Sequence, residues 1–168
     1  MKSLATISIL ALALSGPELA QSDDMTPGRA LAELVYGSME DDPSGAVDMG
    51  EFVNFGRDIF VSMDADESGS IDAQEFTDWD FGFNFIVEDS GQQRAYEAAQ
   101  KILFAIWDHD ADGEIERREY HKSMLWDFRR ADVDDDAFLT QDEFLRGYVV
   151  NVAYRAAITG QLSSLLRK

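Results

Sequence analysis

Apolar side chains recur one, four and five positions ahead of three acidic stretches. They are Met39, Tyr36 and Val35, then Met63, Phe60 and Ile59, then Trp107, Phe104 and Leu103. Spacings of three and four residues stay on one side of a helix, so each set marks the buried face of a helix running into a polar segment. A fourth set is weaker, with Ala131 and Phe128 in place but Asp127 at the third position. Every acidic stretch closes on a Glu followed by an aromatic residue (Phe52, Phe76, Tyr120, Phe144), and every one has an apolar residue at its eighth place (Val47, Ile71, Ile115, Leu139). The pattern predicts an all-α fold of helix–loop–helix repeats, with about six helices near 27–39, 49–63, 73–84, 91–107, 117–131 and 141–158 and a turn near 88–91. In the last helix Phe144, Tyr148, Val149 and Val152 form one stripe that closes the domain. Trp79, Phe81, Phe83 and Phe85 alternate as strand residues would. We expect them to fill the core after the second loop rather than to line an exposed groove.

The acidic stretches are EDDPSGAVDMGE (40–51), DADESGSIDAQE (64–75), DHDADGEIERRE (108–119) and DVDDDAFLTQDE (132–143). They hold 22 of the chain's 33 Asp and Glu, and their only basic residues are Arg117 and Arg118. The net charge of −19 therefore belongs to four short sites rather than to a generally acidic surface. That balance excludes nucleic acid as a default partner, because a polyanion requires a basic face. Cysteine is absent, which excludes thiolate metal sites, disulfides and cysteine nucleophiles, and two histidines are too few for an imidazole-rich centre. With 3 Trp, 5 Tyr and 11 Phe in 168 residues, a packed core is affordable. Outside the acidic windows there is no nucleophile elbow, phosphate-binding glycine loop or paired catalytic carboxylate, so an enzyme is not expected.

Each window resembles the calcium-binding loop of the EF-hand family, and the chemistry of the ion accounts for the spacing. Ca²⁺ is a hard cation that takes six to eight oxygens. In the family's loop, positions 1, 3 and 5 give side-chain oxygens, position 7 a backbone carbonyl and position 9 a side chain that often acts through water. Position 12 gives both oxygens of a Glu, and position 6 makes a sharp turn suited to glycine. Carried onto this chain, the resemblance implies ligands Asp64, Asp66, Ser68, Ser70, Asp72 and Glu75 in the second loop. In the third it implies Asp108, Asp110, Asp112, Glu114, Glu116 and Glu119. In the fourth it implies Asp132, Asp134, Asp136, Phe138, Thr140 and Glu143. The second and third loops have glycine at the turn (Gly69, Gly113). The fourth has Ala137 there, where a left-handed backbone costs about 1–2 kcal/mol, so weaker binding is expected. The first loop (Glu40, Asp42, Ser44, Ala46, Asp48, Glu51) is degenerate: it opens on Glu and carries Pro43 at position 4, so it reads either as a weak site or as a structural loop. Two to four Ca²⁺ ions follow. His109, at position 2, is expected to point outward into solvent, and His121 to lie on the surface.

Loop starts at 40, 64, 108 and 132 leave 12 residues between the first and second loops and 12 between the third and fourth. One helix must therefore serve both loops of each set, and such loops lie at its opposite ends. The expected pairing is nested, second loop with third and first with fourth, through short β-bridges at position 8. This compact spacing is similar to that of the lanmodulin family, bacterial periplasmic EF-hand proteins that bind lanthanides. Those carry proline at position 2, where this chain has Asp41, Ala65, His109 and Val133. Calcium is thus the expected ion, with a lanthanide as the alternative.

The N-terminus joins Lys2, an apolar run from Leu4 to Leu14, and small residues up to Ala20. That is the layout of a secretory signal peptide over 1–20, with the cut after Ala20 or Ser15, and the run is too short to span a bilayer. The expected mature protein is 21–168, a secreted or periplasmic EF-hand domain with no membrane attachment. Two roles stay open: a calcium buffer or calcium-stabilised scaffold, and a sensor that engages a protein partner on loading.

Overall fold

A computed structural model describes residues 26–40, 44–79 and 81–160. Among them run α1 (Pro27–Met39), β1 (Val47–Asp48), α2 (Met49–Met63), β2 (Ser70–Asp72), α3 (Ala73–Asp78), α4 (Asn84–Ser90), α5 (Gln93–Trp107), β3 (Glu114–Glu116), α6 (Arg117–Ala131), β4 (Phe138–Leu139), α7 (Gln141–Gly147) and α8 (Val149–Ile158). The all-α class stands, and none of these helices is long and apolar enough to cross a membrane. The signal peptide expected over 1–20 lies outside the described residues.

Helices α1, α2 and α6 form where their apolar faces lie: Tyr36 and Met39, then Phe52, Phe60 and Met63, then Tyr120, Met124 and Phe128 are all buried. Helices α2 and α6 each join two loops. They cross with Phe52 against Phe128 (ring centres 5.7 Å apart) and Phe60 against Tyr120 (5.3 Å). Between these contacts Gly56 faces Met124, whose side chain would stand 2.9 Å from a Cβ on the glycine. The third and fourth loops start 68 residues after the first and second. Adding that offset to Phe52 and Phe60 gives Tyr120 and Phe128, so one contact maps onto the other. The two halves are thus related by a pseudo-two-fold centred on Gly56 and Met124.

The strands pair as the loop spacing predicts. Val47 opposes Leu139 and Asp48 opposes Phe138, which joins the first loop to the fourth. Ser70, Ile71 and Asp72 oppose Glu116, Ile115 and Glu114, which joins the second to the third. The Tyr36 hydroxyl donates to the Leu139 carbonyl at 2.8 Å and fastens α1 to the outer pair.

Two of the six expected helices are broken, giving eight among the described residues. The helix expected over 73–84 stops at Asp78, where Trp79 takes an extended backbone. Extended chain lets alternate residues face one side. Trp79 and Phe81 meet edge to face (4.2 Å), and Phe81 and Phe83 both pack on Tyr154 of α8 (5.2 and 5.3 Å). These three fill the core as expected. Phe85 does not; it is 71% exposed on α4. Residues 88–90 are helical, and the chain reverses only at Gly91.

The helix expected over 141–158 breaks at Tyr148, also extended. A Cβ on Gly147 would lie 2.4 Å from the Ala131 backbone, so the end of α7 presses on the end of α6 and a side chain there has no room. Arg155 of α8 donates to the Leu145 carbonyl (2.9 Å), which the break frees, and Asn151 donates to the Phe144 carbonyl (3.2 Å) beside the Tyr148 amide. The break also turns the helix: Val150, Asn151, Tyr154 and Ala157 are buried, while Val152, expected on the inner stripe, is exposed.

Candidate metal centres

Each loop is held by its own carboxylates, which accept hydrogen bonds from loop amides. In the second loop Asp64 ends α2 and is nearly buried. Its Oδ2 accepts the Gly69 amide at 3.1 Å and a guanidinium N–H of Arg117 at 2.9 Å. Asp66 accepts the Ser68 amide at 2.9 Å, and the Ser68 hydroxyl donates to the Ser70 carbonyl at 3.0 Å. Glu75, on the first turn of α3, reaches back. Its Oε1 accepts the Ala65 amide (2.9 Å) and its Oε2 the Asp72 amide (3.0 Å). Asp72 turns to cap α3 through the Gln74 and Glu75 amides, both at 2.8 Å.

The third loop repeats this design. Asp108 Oδ2 accepts the Gly113 amide at 3.0 Å and Oδ1 the Asp112 amide at 3.2 Å, while Asp112 accepts the Glu114 amide at 3.0 Å. Glu119 Oε1 accepts the His109 amide at 2.8 Å, and Oε2 the Glu116 amide at 3.0 Å. Burial works against its ionisation, but the amides of Glu116, His109 and Asp110 outweigh burial and hold the carboxyl below its ordinary range. Glu116 lies at the head of α6, within 3.5 Å of the Arg118 guanidinium. At position 7 the Ser70 hydroxyl donates to the Glu114 carboxylate at 2.7 Å, so these two side chains tie the paired loops together.

In the fourth loop Asp132 accepts the Asp136 and Ala137 amides, both at 3.1 Å, and Asp136 accepts the Phe138 amide at 2.9 Å. Ala137 has φ 71°, the left-handed turn that position 6 demands, where Gly69 and Gly113 sit at 93° and 94°. Glu143 accepts the Val133 amide (3.0 Å) and both the amide (2.9 Å) and hydroxyl (2.7 Å) of Thr140. Burial opposes ionisation there too, and those donors overcome it. Asp134 shifts the other way: desolvation, then repulsion from Asp136, Glu143 and Asp132, raise its carboxyl. In the first loop the Ser44 hydroxyl donates to the Ala46 carbonyl at 2.8 Å, as Ser68 does to Ser70, and Asp48 and Glu51 form a capping box on α2. Glu40 ends α1, and Asp42 lies outside the described residues.

The fold brings three sets of acidic groups together, each with oxygens within 4.8 Å of one another: Asp64, Asp66 and Glu75; Asp108, Asp110 and Glu119; Asp132, Asp134 and Asp136. Among the described residues the first loop gathers no such set. So many anions at that range repel unless a cation joins them. The donor set is all oxygen, carboxylate with hydroxyl and carbonyl, which suits a hard divalent ion and not a soft one.

Several features were not anticipated. Position 4 is left-handed without glycine, at Glu67, Ala111 and Asp135 (φ 60°, 60° and 61°). His109 is half-buried rather than free in solvent: its ring stacks on Trp126 (5.1 Å), and its Nε2 lies 3.0 Å from the Ser123 hydroxyl. Both partners follow on α6, one turn apart, and draw the ring onto that helix. Asp127 is buried against Trp107 and Arg130. Its position on the apolar face of the incoming helix was the one sign of this in the sequence.

No curated protein matches the chain in sequence. Residues 57–78, which span the end of α2, the second loop and α3, match the family model described as EF hand. That match falls on one of four loops with a common frame, three of which converge carboxylates, and the segment it covers is similar to an EF hand.

Proposed function

We propose that this chain is an exported calcium-binding protein in which the ion serves as a stored cargo or as a structural brace. The observation that carries this reading is the threefold recurrence of converging carboxylates on a common hydrogen-bonded frame. Asp64, Asp66, Ser68, the Ser70 carbonyl and Glu75 would hold one ion. Asp108, Asp110, Asp112, the Glu114 carbonyl and Glu119 would hold a second, with Asp72 and Glu116 at the ninth positions. Asp132, Asp134, Asp136, the Phe138 carbonyl and Glu143, with Thr140, would hold a third, weakened by Ala137. Bound Ca²⁺ supplies positive charge at the centre of each loop, converting repulsion among the carboxylates into attraction. Binding then adds to folding stability. Export rests on the amino-terminal composition, and the carboxylate-rich, cysteine-free sequence suits a calcium-rich, oxidising compartment.

Burial favours the store or brace over the sensor. Met39, Met63 and Met124, the residues that would line an adaptable groove, are all enclosed. Each of α2 and α6 is shared by two loops, so swinging one helix at one loop displaces it at the other.

Calorimetric titration of the chain with Ca²⁺, Mg²⁺ and a lanthanide tests the reading. Two tight sites and one weaker site for Ca²⁺ are expected, with little response to Mg²⁺. No heat and no change in melting temperature with millimolar Ca²⁺ would sink it. A lanthanide preferred by orders of magnitude would move the assignment to that ion. A hydrophobic dye that brightens on calcium loading would favour the sensor.

A further inference from the structure

The second and third loops have equally complete donor sets, yet their surroundings differ in one respect. Among the described ion pairs, one reaches a first-position aspartate: Arg117 Nη2 to Asp64 Oδ2, 2.9 Å, across 53 residues of sequence. The carboxylate is 2% exposed and the arginine side chain 55%. The guanidinium also stands 4.7 Å above the centre of the Phe60 ring, so a cation–π contact steadies it over the loop.

The β-ladder places it there. Ser70 opposes Glu116, so the next step outward sets Gly69 beside Arg117, and Arg117 Nε lies 3.9 Å from where a Gly69 Cβ would stand. The Gly69 amide donates to the same Asp64 carboxylate. Arg117 is position 10 of the third loop, and the same register at the other end of the ladder puts position 10 of the second loop, Ala73, in the matching place beside Gly113. Alanine offers no charge to Asp108. In the first and fourth loops that position is Met49 and Gln141, also uncharged.

We propose that Arg117 is a built-in counter-cation of the 64–75 loop: it neutralises Asp64 while the loop is empty and must leave when a divalent ion enters. The paired loops then load in order, 108–119 first and 64–75 second. The inference rests on the calcium reading above. Asp64 is required at position 1, and a guanidinium on its Oδ2 would repel a divalent cation a few ångströms away. Release of an arginine that is already half exposed costs little, so the handicap is about five-fold in affinity.

The test is an NMR titration of the chain with Ca²⁺ that follows the Gly69 and Gly113 amide resonances, each of which reports its own loop. In the wild type the Gly113 midpoint is expected at the lower concentration. Arg117→Gln is expected to bring the Gly69 midpoint down about five-fold and to leave Gly113 in place. Arg118→Gln removes the same charge from an exposed neighbour that touches Glu116 and not Asp64, and it is expected to leave the Gly69 midpoint in place. An unmoved Gly69 midpoint in Arg117→Gln, or an equal shift in Arg118→Gln, overturns the inference and leaves the calcium reading standing. If neither glycine responds in the wild type, the calcium reading itself falls.

Discussion

Trp107 donates its indole N–H to the Asp127 carboxylate at 3.2 Å, tying the last residue of α5 to the far end of α6. Arg130 donates to the other oxygen at 2.6 Å. The site is buried, and burial pushes the carboxyl up to about 6 although Arg130 and Trp107 pull it down. The folded chain therefore holds this proton more tightly than the unfolded chain does. The fold bears no penalty below the ordinary aspartate range, acquires one as pH rises towards about 6, and carries it in full above.

Asp127→Asn retains an acceptor for Trp107 without the buried charge. It is expected to raise stability by about 1–2 kcal/mol at about pH 7.5, with the gain fading near pH 4. Urea unfolding in chelator at both pH values checks this. A variant less stable than wild type at about pH 7.5 would mean that the ion pair with Arg130 outweighs the burial.

Glu119→Gln and Glu75→Gln each remove one anionic oxygen from a converging set while keeping the reach of the side chain. Each is expected to weaken its own loop by more than about ten-fold and to lower the calorimetric stoichiometry by one. Unchanged stoichiometry in Glu119→Gln would show that the third loop does not close on its ion through that residue.

Ala137→Gly relaxes a left-handed alanine. The strain removed is about 1–2 kcal/mol, and the freer unfolded chain takes back part of it, so a net gain of about 0.5–1 kcal/mol is expected in chemical denaturation. The same substitution at Ala131, a buried helical position, would cost stability.

Gly147→Ala and Gly56→Ala separate two kinds of close approach. At Gly147 a methyl meets the Ala131 backbone, which cannot move aside, and a loss of about 2–3 kcal/mol or more is expected. At Gly56 it meets the flexible Met124 side chain, which can adjust, so the loss is expected to be about 1 kcal/mol. Similar denaturation midpoints for the two variants would contradict this account of α7.

The helices flanking the loops were legible because local pattern and tertiary burial agree there. The apolar faces of α1, α2 and α6 carry their own periodicity, and 12-residue spacers permitted only the nested pairing. What was hidden depends on contacts between distant residues. Asp78 ends α3 because Trp79, Phe81 and Phe83 do better on Tyr154, on a helix whose position the sequence does not disclose. Tyr148 breaks the last helix because Gly147 meets Ala131. In the loops, the spacing of oxygens could be read position by position. The approach of Arg117 to Asp64 could not, since it requires the ladder register and the crossing of α2 over α6 together.

The nested pairing also sets a schedule for synthesis. The Tyr36 hydroxyl waits for a carbonyl 103 residues further along the chain, and Val47 has no β-partner until Leu139 exists. An emerging chain can close its inner hairpin of loops once Glu116 has been made, but its first and last loops meet only when nearly everything is made. Such long-range closure slows folding and leaves apolar surface uncovered meanwhile. Neither half, cut from the other, would retain an intact pair of loops.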